Sequence, residues 1–264
     1  MITIKTIYIY HDCFVVKTPE AVLVFDFWKD PYQMEPMPNP LTNIDKDMPA
    51  YVFVSHGHKD HYNPDIFGWA KYFPNIRYIV SKDVRKRINH IISPGSSYKG
   101  DKVDAAKVIA MSDHDHYEDD IINVNTFPST DIGNSYGVTI AGRTIFHAGD
   151  LNAWIWKDES TEEEVKEALD SFNAIVDMIA ASYEGFDICF FPVDSRIGTD
   201  YFMGACIFLE RFRIDNFFPM HFELGDDAAA IARLHRDAAA FDRYASPTCR
   251  HYVMSAPYSA YAII

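Results

Sequence analysis

Residues 51 to 64 read YVFVSHGHKDHYNP, a short apolar, β-branched segment running straight into His56, His58, Asp60 and His61, four potential metal ligands within six positions. In extended backbone, side chains alternate between faces. Positions 56, 58 and 60 would therefore share one side, and His61 would point elsewhere. Imidazole nitrogen and carboxylate oxygen suit a borderline divalent ion such as zinc, and four ligands splayed in two directions suit two adjacent ions better than one. The bland reading is a polar turn that happens to be His-rich, but surface turns seldom collect three His and an Asp at this spacing.

The segment HGHKDH at 56 to 61 matches the pattern His-x-His-x-Asp-His, and on it the chain resembles the metallo-β-lactamase superfamily. That resemblance implies an α/β fold, the αββα sandwich, in which two mixed sheets pack face to face with helices outside and a dinuclear metal site at one edge. The family's later ligands are an Asp after a strand and a His near the far end. Their counterparts are Asp150 in TIFHAGD, after the apolar segment 144 to 148, and His221 in NFFPMHF, after 217 to 220. The resemblance spans roughly residues 2 to 225 and keeps the family's ligand order. A strand ending in HAGD, then LN and tryptophans, then a later FPVD, is similar to the metal-dependent hydrolase branch that includes the ascorbate-phosphate lactonase group. It does not closely resemble the antibiotic-hydrolysing enzymes.

One family ligand is absent. Most members supply a third His to the first metal between these motifs, often in Thr-Phe-His, whereas this chain reads NTFPSTDIG at 125 to 133 with Pro128 at that place. Proline cannot ligate through its side chain. Asp131 is the first substitute, since a carboxylate oxygen can fill a zinc or manganese position; Ser129 and Thr130 are weaker ligands while protonated. The other outcome is a first metal with two protein ligands and water. The resemblance then implies His56 and His58 on one ion, with Asp131 as the substitute third ligand, Asp60, His61 and His221 on the other, and Asp150 between them. It further implies a hydrolase acting through a shared hydroxide on a small ester, lactone or phosphodiester, with Asp60 as the catalytic group that orients that hydroxide and takes its proton. Zinc is the first expectation for the two divalent ions, with manganese or iron as alternatives.

Other histidines carry less. His114 and His116 lie in MSDHDHYEDD among five acidic residues, which reads as a solvated acidic loop. His147, three before Asp150, is read either as an outer partner that orients a ligand or as a plain buried His. His11, in IYIYHDCFVV, could approach the site only through the fold, and His90, His235 and His251 have no partner in sequence. Two segments are candidates to line a substrate pocket. In LNAWIWKDES, Asn152, Trp154 and Trp156 could form a wall or lid, or pack on the sandwich edge. In FPVDSRIG, Asp194 and Arg196 could form a structural pair, or Arg196 could hold a substrate carboxylate or phosphate with its planar fork.

A chain of 264 residues, 48% hydrophobic, can bury a large core and reads as a single domain over 1 to 264. There is no Gly/Ser linker, internal repeat, basic leader with an apolar segment or long apolar span, and the four cysteines form no CxxC pair. The expectation is a soluble cytoplasmic protein with buried free thiols at Cys13 and Cys189, no membrane partner and an open oligomeric state. A net charge of −14 argues against a nucleic-acid partner and for a small-molecule substrate; the one dense basic cluster, KDVRKR at 82 to 87, reads as the face of a short helix.

Periodicity places strands at 2 to 10, 13 to 17, 21 to 27, 51 to 55, 76 to 80, 106 to 111, 121 to 127, 136 to 148, 187 to 193 and 216 to 220. Helices follow at 160 to 182, 203 to 212 and 226 to 241, with a helix start at Asn63 and Pro64. Two other classes remain compatible: a non-haem iron oxidoreductase of the same fold, and a metal-binding protein without turnover.

Overall fold

A computed structural model describes residues 3–31, 40–41, 43–222, 228–241, 248–254 and 256–263. The strands are β1 Ile4–Tyr10, β2 Cys13–Lys17, β3 Val22–Phe25, β4 Ala50–Val54, β5 Ile76–Ser81, β6 Val108–Met111, β7 His116–Glu118, β8 Ile122–Pro128, β9 Asn134–Ile140, β10 Arg143–His147, β11 Gly185–Pro192, β12 Arg213–Met220, β13 Arg250–His251 and β14 Ala260–Ile263. The helices are α1 Lys82–Arg87, α2 Asn89–Ile92, α3 Glu162–Ala180, α4 Met203–Arg211 and α5 Ala228–Ala240. They build two seven-stranded sheets, ordered β14-β1-β2-β3-β4-β5-β6 and β13-β12-β11-β10-β9-β8-β7. Both are mixed: β3 to β6 and β10 to β13 pair in parallel, and the remaining neighbours are antiparallel. With helices outside, this is the αββα sandwich.

Parallel strands covered on both faces read as unbroken apolar runs, and β3 and β4 are buried at every position. Alternation then divides the side chains. Leu23, Phe25 and Phe53 face the second sheet, where Phe14 stacks on Phe190 at 4.3 Å between ring centroids. Val22, Val24, Val52 and Val54 face outward into a separate cluster with Ile66, Phe67, Val84 and Ile91. Helix α3 starts where Thr161 and Glu164 form a capping box, and it buries Phe172, Ile175, Val176 and Ile179 on the other sheet.

Three expectations change in detail. The run 136 to 148 is a hairpin, because Ala141 and Gly142 adopt φ of 51° and 71°, the backbone of a tight two-residue turn between β9 and β10. The acidic segment 113 to 120 includes β7, a short edge strand with exposed ends that is too brief to show an alternating pattern. The segment after Asn63 is a single 3-10 stretch, Pro64–Lys71, with Asn63 accepting from the Asp65 N–H. The first two positions of the helix expected at 226 to 241 lie outside the described residues.

The parallel pairings fix where function can sit. β3 and β4 run the same way, as do β10, β11 and β12, so the segments leaving them emerge at one edge of the sandwich. Asp26, His56, Asp150, Asp194 and His221 all follow these strands directly.

Candidate metal centre

Past Val54 the chain leaves the sheet and is gripped from several sides. The Ser55 N–H donates to Asp26 Oδ1 at 2.7 Å, the Ser55 hydroxyl donates to Asp26 Oδ2 at 2.6 Å, and the same hydroxyl lies 3.0 Å from His56 Nδ1. Asp83 accepts from the Gly57 N–H at 2.8 Å, and Arg87, in the basic cluster, donates to the Gly57 carbonyl at 2.6 Å. A turn follows, closed by the His61 N–H on the His58 carbonyl at 3.2 Å. This turn overturns the extended geometry expected for 56 to 61. His56 and His61 face each other, with ring centroids 4.2 Å apart, and His58 stands edge-on to His56 at 4.5 Å. The Asp131 loop crosses this turn so closely that a Cβ on Gly133, at φ of 78°, would fall 2.2 Å from the Ser55 carbonyl oxygen.

Asp150 lies between two groups of donors. Its Oδ2 is 3.2 Å from His56 Nε2, while Oδ1 is 3.1 Å from His61 Nε2 and 3.3 Å from His221 Nε2. On the exposed side, His58, Asp131 and Asp150 each offer a ligand atom within 4.8 Å of the others. Among the expected ligands, His56, His58, His61, Asp131, Asp150 and His221 are thus brought together. Asp60 stands on the cavity wall, its Oδ2 3.8 Å from His11 Nε2.

His56 Nε2, His61 Nε2 and Asp150 Oδ1 are buried atoms without a hydrogen-bond partner, at separations normal for donors around a shared ion. The nitrogen and oxygen set, rather than thiolate, can hold zinc, manganese or iron. Electrostatics agree. Burial alone would raise the Asp150 carboxyl, yet the His61 and His221 imidazoles hold it well below the ordinary carboxylate range. Burial would lower His221, but Asp12 and Asp150 push it up to about 10, and His61 is raised well above its usual value against the same penalty. A cluster of buried carboxylates demands positive charge here, which ions can supply.

The outer partners were the least visible in sequence. Asp26 Oδ2 is 3.1 Å from His61 Nδ1, and Asp194 Oδ2 is 2.9 Å from His221 Nδ1, so each carboxylate fixes which ring nitrogen faces Asp150. The available signal for Asp26 was an acid at the end of VLVFDFW, an otherwise apolar run. His147 is fully buried: its Nε2 bonds the Asp12 carbonyl at 2.9 Å, its Nδ1 accepts the Gly149 N–H, and its ring stacks on Phe25 at 4.9 Å. Asp12 is wholly buried 3.5 Å from His61 Nδ1, and burial pushes its carboxyl up to about 7. His11 is also fully buried, with its ring 4.6 Å from that of His221. His116, by contrast, pairs with Asn125 at the exposed sheet edge.

A cavity of about 440 Å³ opens over this cluster. Asp131, Trp154, Trp156 and Arg196 line it. Trp154 donates its indole N–H to the Asp150 carbonyl at 2.8 Å, and Trp156 is 41% exposed at the mouth. Arg196 and Asp194 form the paired arrangement, with Nε 2.9 and 3.0 Å from the two carboxylate oxygens. Asn152 departs from its expected role: it is fully buried, its Oδ1 accepts the Ala153 N–H, and it packs on Gly204 of α4, away from the cavity.

Residues 5–172 match the family profile described as "Beta-lactamase superfamily domain". No curated protein matches the sequence. Among solved structures, the chain is similar to Igni18, a metallo hydrolase from the archaeon Ignicoccus hospitalis, at 16% identity and a TM-score of 0.62 over 98% of each chain. It is similar to the metallo-β-lactamase fold protein YhfI from Bacillus subtilis at 10% identity and a TM-score of 0.59, covering 99% of this chain and 100% of that one. It is also similar to CmlA, a diiron β-hydroxylase from Streptomyces venezuelae, at 10% identity and a TM-score of 0.59, covering 99% of this chain and 53% of CmlA. With the profile match over most of its strands and the seven-plus-seven sandwich, the chain belongs to the β-lactamase superfamily and has the metallo-β-lactamase fold.

Proposed function

We propose that the protein is a metal-dependent hydrolase using two divalent ions on a small ester, lactone or phosphodiester. The observation that carries this reading is the division of Asp150, whose Oδ2 faces His56 while Oδ1 faces His61 and His221. His56, His58 and Asp131 would hold the first ion, Asp60, His61 and His221 the second, and Asp150 both. Ions bound there would acidify water and polarise a carbonyl or phosphoryl oxygen of the substrate.

The chain's own groups do the rest. Asp194 and Asp26 keep Nε2 of His221 and His61 turned inward, so the donors need no rearrangement. Asp60, whose side chain is 27% exposed on the cavity wall, takes the proton of the attacking water. Arg196, held by Asp194, presents a fixed guanidinium to a substrate carboxylate or phosphate. Trp154 and Trp156 cover the reacting centre and exclude bulk water. The cavity volume and the net charge of −14 support a small-molecule substrate over nucleic acid. Four free cysteines support a cytoplasmic setting, and no helix among the described residues is long and apolar enough to cross a membrane.

Elemental analysis of purified protein is expected to give about two ions per chain, and a panel of esters, lactones and phosphodiesters is expected to identify a turned-over class. Asp150→Ala is expected to weaken both ions and to reduce turnover about 10²-fold or more beyond the loss in His58→Ala, because only Asp150 faces both sides. Near-parent hydrolysis by Asp150→Ala would overturn the reading. A second reading rests on Asp131: two His and carboxylates around one ion also suit non-haem iron, and CmlA places diiron hydroxylation on this fold. Oxygen consumption by iron-loaded protein, with no hydrolysis on the panel, would favour it.

A further inference from the structure

Each metal-facing histidine whose outer side is described above has a fixed partner behind it. His56 is backed by Ser55, His61 by Asp26 and His221 by Asp194. Asp60 is different, because it sits in a turn, part-exposed, and its Oδ2 lies beside His11 Nε2 at 3.8 Å. His11 is an unusual residue for its place. It opens the two-residue turn between β1 and β2, next to the Tyr10 and Cys13 pair, and adopts φ of 54°. Such turns favour Gly or Asn and are ordinarily solvated. Here both turn residues, His11 and Asp12, are wholly buried against the metal cluster. A non-glycine residue in this strained conformation persists only when its surroundings over-determine it.

The surroundings do so. Tyr8 Oη accepts the His11 N–H at 3.0 Å, which fixes the register of the turn. His147 bonds the Asp12 carbonyl. The His11 ring is wedged against Trp28, His61 and His221, at centroid distances of 5.9, 5.4 and 4.6 Å. These contacts hold the ring with its Nε2 3.8 Å from both Asp12 Oδ1 and Asp60 Oδ2; Asp12 is fully buried, while Asp60 is part-exposed on its turn.

We propose that His11 is a positioning residue for the second metal site, its Nε2–H donating to Asp60 Oδ2 and so leaving Oδ1 for the ion. The separation of 3.8 Å exceeds a hydrogen bond of about 2.9 Å, and site contacts of this kind shorten when the site is filled. Outer partners of ligating groups typically contribute about 10- to 100-fold in metal affinity. The β1–β2 turn thereby couples the first hairpin of the chain to a motif some fifty residues later. The proposal rests on the two-ion reading above.

The test measures metal affinity, not turnover. Zinc or cobalt(II) is titrated into chelator-stripped full-length protein, with stoichiometry, competition against a chromophoric chelator and the cobalt absorption spectrum as readouts. His11→Phe is expected to weaken the second ion about 10- to 100-fold and leave the first unchanged. His11→Gln, which keeps a donor near the Nε2 position, is expected to recover most of that loss. In the Asp60→Ala background, His11→Phe is expected to cause no further weakening, since its effect passes through Asp60. Thermal melts identify variants that fail to fold; should His11→Phe be one, the comparison of His11→Gln with parent in the two Asp60 backgrounds decides. Equal loss in His11→Gln and His11→Phe, additive losses with Asp60→Ala, or parent-like second-ion affinity in every variant overturns the proposal. A parent that binds fewer than two ions overturns the two-ion reading and this inference together, whereas two ions unaffected at His11 overturn this inference alone.

Discussion

On the proposed reading Asp131 supplies a carboxylate in place of the third imidazole whose position Pro128 occupies, and the difference is one of charge. An imidazole leaves the ion's charge intact, while a carboxylate cancels part of it, so the first site should be a weaker Lewis acid and favour harder ions such as manganese or iron. Asp131 lines the cavity, where its carboxylate joins His58 and Asp150 within 4.8 Å. Asp131→Ala is expected to reduce first-ion affinity by about 10-fold or more without lowering the melting temperature of the metal-free protein. Asp131→His is expected to move metal preference towards zinc. Competition titrations with zinc and manganese check both; parent-like affinity in Asp131→Ala would remove Asp131 from the site. The candidate ligands His56, Asp150 and His221 were legible in the chain because each follows a short apolar run. Their geometry was not, since a turn closed at His58 and His61 replaces the extended backbone assumed for that segment.

Among the elements, the parallel β10–β11 pair matters most, because it aims Asp150 and Asp194 at one point. It is fastened at the far end by Asp187, which accepts from Arg143 Nη1 at 2.7 Å and from the Thr144 N–H at 2.8 Å. Burial would raise this carboxyl, but the bonds from Thr144 and Arg143 outweigh it and hold the group below its ordinary value. A depressed folded-state value means the bonds stabilise the fold above the unfolded-state value of about 4, and that this stability drains away as the pH falls through the folded-state value. Asp187→Asn is therefore expected to destabilise by about 1–2 kcal/mol at pH 7, and the gap to parent to shrink below about pH 4. Denaturant melts at several pH values check this; a gap that is constant with pH would show that the charge is irrelevant. Strand and helix positions were readable from period and capping, as the Thr161–Glu164 box shows. Which strands would be neighbours was not, because Asp187 meets Arg143 and Thr144 only through a parallel crossover spanning α3. His11 and Asp26 were obscured for the same reason: their roles depend on sheet order, which leaves no local pattern.

For the molecule as a whole, the site is a charge problem placed where two sheets open. Asp12, Asp26, Asp150 and Asp194 are nearly or fully buried at one edge, and both Asp12 carboxylate oxygens lack a hydrogen-bond partner. Burial disfavours charge on His61 and His221, but the carboxylates around them favour it and raise both groups, whereas a ligating imidazole is neutral. Ions bound here would replace their protons and would tie the turn after β4, the segment after β10 and the segment after β12 into one unit. Binding to the folded state alone adds RT ln(1 + [L]/Kd), about 2.7 kcal/mol for each ion at a hundredfold excess over Kd. For a chain of this size that corresponds to roughly 5–10 °C in Tm per ion. Chelation at constant ionic strength is thus expected to lower the melting temperature by that amount for each ion removed, roughly 10–20 °C for both, and readdition of zinc to restore it. A double variant, His56→Ala with His61→Ala, is expected to show almost no response to the chelator, because it has lost a donor on each side of Asp150. If the chelator leaves the parent's melting curve unchanged while elemental analysis shows the ions gone, the cluster is not coupled to folding, and the buried carboxylates must be satisfied without metal.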